Sequence, residues 1–85
     1  MSDWPRYESH KIVQAAKIVG FNTRDNGSRA CAMVDPGDGV LMTFAPNVDE
    51  MLQRAEIGGY AVIYEDGFAS ISPAKAFEDG YVRLP

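Results

Sequence analysis

What this chain has little of narrows its chemistry first. Of its 85 residues one is cysteine and one is histidine. A single thiol, Cys31, excludes an internal disulfide and any zinc site built on several thiolates. Its neighbours Ala30, Ala32 and Met33 mark it as a small buried hydrophobe instead of a reactive group. No apolar run approaches the roughly 20 residues of a membrane-spanning helix. The opening MSDWPRYESH lacks the apolar core of a signal peptide, so a cytoplasmic protein is expected. No glycine loop followed by a lysine-bearing helix is present, so no nucleotide triphosphate site is indicated. The acidic residues beside turns (Asp35, Asp38, Glu65, Asp66, Glu78, Asp79) lack calcium-loop spacing and serve backbone roles there; no metal or cofactor is expected.

Charge is also scarce in one sign. Eight basic against twelve acidic residues give a net charge of −4 and a pI near 4.7, which disfavours non-specific binding to nucleic acid or to an anionic membrane. The hydrophobic fraction of 46% is that of a globular chain, and the length allows one domain with a small core.

The remaining pattern is dense in structural signals. Residues 1–8 form an extended lead-in with Trp4 as a possible anchor, because Pro5 biases Trp4 toward extended backbone. From Ser9 to Phe21 two readings compete. Ile12, Ala15, Ala16 and Val19 have helical spacing, whereas a strand would set Val13, Ala15 and Val19 on one face. Periodicity alone leans to helix. Asn26-Gly27 is a turn. Arg29–Val34 and Val40–Phe44 flank the turn DPGDG and read as a β-hairpin. Asn47 with Glu50 fits a capping box, and Val48, Met51, Leu52 and Ala55 give an apolar stripe, so the main helix is expected over about 47–56. Tyr60–Tyr64 and Phe68–Ser72 form a second hairpin around Asp66-Gly67. Ser72-Pro73 then starts a short helix, about 73–78, with Ala76 and Phe77 facing inward and Asp79-Gly80 ending it. Tyr81–Leu84 reads as a last strand. The fold class is therefore α+β: one domain over 1–85, an antiparallel sheet of about four to six short strands, one main packed helix and one short helix.

No nucleophile–base pair is legible, which argues against an enzyme. His10 and Lys11 make a basic spot suited to an anion. Tyr60 and Tyr64 share a strand face whose first explanation is core packing. Tyrosine is also enriched at interfaces, where the ring is covered and the hydroxyl stays wet. With Tyr81 and Arg83 these residues complete the candidate binding set: His10, Lys11, Tyr60, Tyr64, Tyr81 and Arg83.

Two segments, YESHKIVQAAKI (7–18) and GGYAVIYEDGFASISPAKAFEDGYVRL (58–84), resemble a group of short proteins encoded in tailed bacteriophage and prophage genomes. The matching residues include Tyr7, Ser9, His10, Lys11, Val13 and Ala15, then Gly58, Gly59, Tyr60, Val62, Tyr64, Asp66, Gly67, Ser72, Pro73, Phe77, Gly80 and Tyr81. The resemblance implies a small α+β fold and a phage origin, and lends no catalytic residue. A looser likeness to other short phage proteins tips Ser9–Phe21 toward strand. By class analogy it implies a non-catalytic accessory protein that binds something of the host's, of host-interaction or anti-defence type. The alternatives are sequestration of a nucleotide-like anion at an oligomer interface, or a minor morphogenetic role. The expected partners are thus a host protein or a small anionic ligand, together with self-association into a homo-oligomer.

Overall fold

A computed structural model describes residues 4–8 and 11–85. Ser9 and His10 of the candidate segments lie outside the described residues. The chain is α+β, a seven-stranded antiparallel sheet with two short helices. The strands are β1 (Arg6–Glu8), β2 (Ile12–Thr23), β3 (Arg29–Asp35), β4 (Met42–Phe44), β5 (Tyr60–Ile63), β6 (Ala69–Ser72) and β7 (Val82–Arg83). The helices are α1 (Asp49–Arg54) and α2 (Ala74–Gly80). The strand count exceeds the expected range because the lead-in pairs as β1. Trp4, just before it, is buried and packs on Phe44 with ring centroids 5.6 Å apart. Among the described residues no helix is long and apolar enough to cross a membrane.

The long strand β2 organises the sheet. Ile12–Gln14 pair with β1, Gln14–Lys17 with β5, and Lys17–Thr23 with β3. This segment carries the helical spacing noted in the sequence, but its burial is that of a strand. Val13 and Ala15 are buried on one face of the strand, then Ala16 and Ile18 on the other. Of the helically spaced set Ile12, Ala15, Ala16 and Val19 only Ala15 and Ala16 are buried, on either side of the point where the covered face switches. The register shift between Ile18 and Gly20 then leaves Val19 outside the core, contrary to either reading of the sequence.

The switch reflects a separate core on each face. On one face Ile18, Ala32, Val34, Phe44, Leu52 and Ala61 pack under α1. On the other Val13, Ala15, Tyr60 and Val62 pack under Phe77 of α2. The first core is mainly aliphatic and the second mainly aromatic.

Both helices depart from their expected starts. Asn47 does not cap α1: Val48 holds the cap position with no side-chain hydrogen bond. Asn47 instead donates its backbone N–H to the Ala69 carbonyl at 2.9 Å and accepts the Ala69 N–H on Oδ1 at 2.8 Å. A tertiary strand contact has taken the side chain that the local sequence assigned to the helix. Glu50 is correspondingly free to pair with Arg54 at 3.1 Å, and α1 is shorter than the stripe predicts. Its far end is held from outside, since the Arg29 guanidinium donates to the carbonyls of Leu52 and Ala55. In α2, Pro73 takes the cap position expected for Ser72, Gly80 lies within the helix, and Ala76 is exposed while Phe77 is buried.

The second hairpin turns through three residues, with the Tyr64 N–H donating to the Phe68 carbonyl at 3.0 Å and, within the turn, only Gly67 at positive φ. Asp66 contributes by accepting the Phe68 N–H at 2.9 Å. Cys31 is half-buried instead of buried, with the Asn22 amide 3.4 Å from its sulfur.

Candidate functional site

Phe77 reaches from α2 into a ring of tyrosines. It stacks on Tyr60 at 4.4 Å and on Tyr81 at 4.6 Å, and meets the edge of Tyr7 at 4.8 Å. Such ring contacts add to the burial of the rings themselves. Tyr60 is 9% exposed, and its hydroxyl donates to Glu78 Oε2 at 2.7 Å. Burial, then that bond and the carboxylate's charge, push the Tyr60 phenol up to about 12. Burial, with a smaller contribution from Tyr64, also raises Tyr81. Tyr60 is therefore chiefly a core residue with an engaged hydroxyl, and Tyr64 and Tyr81 are half-buried at the margin. The tyrosine face owes most of its ring contacts to a partner within the chain.

The remaining candidates divide between two depressions. Lys11 and Tyr64 line a broad shallow one of about 630 Å³ with Phe68, Glu65 and Asp66. Arg83 and Tyr60 line a narrower one of about 250 Å³ with Tyr7, Lys17 and the 35–37 turn. The candidate set is thus not gathered in one place, and His10 lies outside the described residues. Among the described residues no group of three or more His, Cys, Asp or Glu is arranged to hold a metal ion.

No protein-family model, curated protein or solved structure matches this chain. Function must be argued from its own surfaces.

The most distinctive surface is an edge that the candidate set did not include. The sheet ends in three edge strands, β4, β6 and β7. Unpaired backbone N–H and C=O groups along an edge are a template for another chain, and proteins ordinarily guard them with charge, brevity or cover. At β6 the guard is Asn47, which closes both backbone groups of Ala69, while α1 lies alongside. At β7 only two residues are exposed to pairing, and one is Arg83. Among the described residues β4 pairs with β3 alone and carries no charge. It is preceded by Val40 and Leu41, which are 63% and 51% exposed, and Met42 is 44% exposed.

A signal for this edge was present in the sequence. Residues 39–48, GVLMTFAPNV, form a ten-residue stretch without a charged side chain, the longest in the chain. The pattern reads as one strand of a hairpin and so passes for core, but among these residues only Phe44 is buried.

Proposed function

We propose that this protein acts by binding another polypeptide, taking an extended segment of it as an added strand along β4. The supporting observation is that among the described residues β4 pairs on one side only and is flanked by exposed Val40, Leu41 and Met42. Main-chain hydrogen bonds supply attachment in strand addition, and pockets or apolar patches for alternate side chains supply preference. Because β4 has three residues, the added strand is short and the association reversible. The lack of charge nearby selects an apolar, weakly charged segment. In the setting implied by the phage resemblance, the partner is a protein of the bacterial host and the encounter takes place in its cytoplasm.

The test is paired affinity capture from bacterial lysate with the wild-type chain and a Leu41→Lys/Met42→Lys variant, which restores the guard that β4 lacks. A polypeptide retained by wild type and by a Lys75→Ala control, but lost on the double variant, supports the proposal. Identical retention by all three contradicts it. Light scattering in parallel distinguishes the second occupant this edge accommodates, another copy of the chain paired antiparallel through β4. A wild-type dimer that becomes monomeric in the variant assigns the edge to self-association.

A further inference from the structure

On the opposite face of the sheet a different surface offers cations that make no ion pair among the described residues. Among the described residues four of the lysines and arginines have an ion pair or hydrogen bond within the chain. Arg54 pairs with Glu50, Lys75 with Asp79, Arg29 with two carbonyls, and Arg24 with the Ser28 hydroxyl. Among the described residues Lys17 and Arg83 make no ion pair, and both are exposed. Strand register brings them to the same face. Tyr7 lies opposite both Val13 and Arg83, while Lys17, two pairs beyond Val13 on that face, lies opposite Tyr60.

We infer that the depression between Lys17 and Arg83 is a binding site for the phosphate group of a small phosphate monoester. Its floor is low because Ala15, on the same face of β2 as Lys17, puts only a methyl group there. Its far wall is the turn after β3, where a Cβ added at Gly37 would come within 4.0 Å of Arg83 Nη2. The acid expected to neutralise Lys17 is Asp35, its neighbour across the strand pair. Yet Asp35 Oδ1 accepts the N–H of Gly37 at 2.8 Å and of Gly39 at 3.4 Å, which ties that oxygen to the turn. The Lys17 ammonium instead stands 5.8 Å from the centre of the Tyr60 ring, whose face helps hold it over the depression.

The chemistry of the ligand follows from what is available. Two cations lining one depression, beside the single Asp35 carboxylate held by its turn, match a dianion better than a carboxylate, and a guanidinium fork suits two phosphate oxygens. Tyr60 and Tyr7 line the depression, but their rings are already packed against Phe77. The site therefore offers charge and no open aromatic face, so it grips the phosphate and the atoms next to it, not a stacked base. This inference stands on different residues from the β4 edge and survives or fails independently of it.

The experiment is a titration of the 15N-labelled chain, followed by amide shifts, with ribose 5-phosphate, adenosine monophosphate, ribose and acetate. Both phosphate esters should bind saturably, within a few-fold of one another, moving the amides of Lys17, Tyr60 and Arg83. Ribose and acetate should not. Lys17→Gln and Arg83→Gln should each weaken binding roughly tenfold or more, the scale of one charge-assisted hydrogen bond, with melting temperature unchanged because both side chains are exposed. The Leu41→Lys/Met42→Lys variant should bind as wild type does. Absence of saturable shifts, equal binding of acetate, or unchanged affinity in both glutamine variants overturns the site. Adenosine monophosphate binding more than about tenfold tighter than ribose 5-phosphate overturns the claim that no ring face is available, since base stacking alone is worth that much.

Discussion

The β6 and β4 strands lie at different edges of the same small sheet and have been treated in opposite ways. At β6 a single asparagine bonds both backbone groups of Ala69, and α1 closes in beside it. At β4 the flanking residues are apolar and exposed, and among the described residues the strand pairs with β3 alone. Guarding an edge requires few residues, so an edge left open in a chain that guards its other long edge points to use. The difference teaches where to look for a partner in a protein without a legible catalytic site.

The strongest way to break the comparison is to remove the cover from β6. Leu52 is 1% exposed and is the buried anchor of α1. Leu52→Ala should destabilise the fold by about 2–5 kcal/mol, measured by urea denaturation, because it opens a cavity under the helix. It should also speed amide exchange at 69–72 more than at 82–83. A more selective change is Asn47→Ala, which deletes the side-chain bond to Ala69 and leaves α1 intact. Its expected cost is about 1 kcal/mol, with faster exchange at Ala69 as the specific sign. An unchanged exchange rate there would show that Asn47 does not guard the edge.

The opposite face provides a prediction independent of both edges. The folded Tyr60 phenol titrates at about 12 against an ordinary value of 10.0, so the folded state favours its neutral form. The resulting stability is complete below about pH 10 and is lost as pH rises toward 12. Tyr60→Phe should cost about 1 kcal/mol at pH 7 through the bond to Glu78, and should flatten the stability profile above pH 10. An absorbance titration at 295 nm checks the same assignment directly. A small effect on stability is expected at β4 itself: Leu41→Lys/Met42→Lys should stay within about 1 kcal/mol of wild type, since both side chains are exposed and the hydrogen bond lost is that from the Trp4 indole N–H to the Met42 sulfur at 3.4 Å.

Much of this architecture could be read from residues, and the failures have physical causes. Both hairpins followed from their glycine turns, and the stripe of Leu52 and Ala55 located the main helix. Its start was misassigned because Asn47 had a tertiary alternative that local spacing cannot reveal. β2 shows no single strand alternation because its two halves bury opposite faces, a pattern that exists only once there are two cores. The shared face of Tyr60 and Tyr64 was visible, but not that α2 would bring Phe77 against it. Lys17 was discoverable: a lysine in phase with Val13 and Ala15 along a strand is a charge on an otherwise apolar face. The open edge at β4 was harder to see, because an uncharged stretch in a strand looks the same whether it is covered or bare.

Hydrogen exchange across residues 40–44, with and without the captured partner, tests the central claim most directly. Strand addition predicts that the outward-facing amides of this segment become protected on binding, while those of 69–72 do not change. The Leu41→Lys/Met42→Lys variant should show no such protection. Partner binding that leaves 40–44 unprotected, or that protects another surface equally in wild type and variant, would contradict the account.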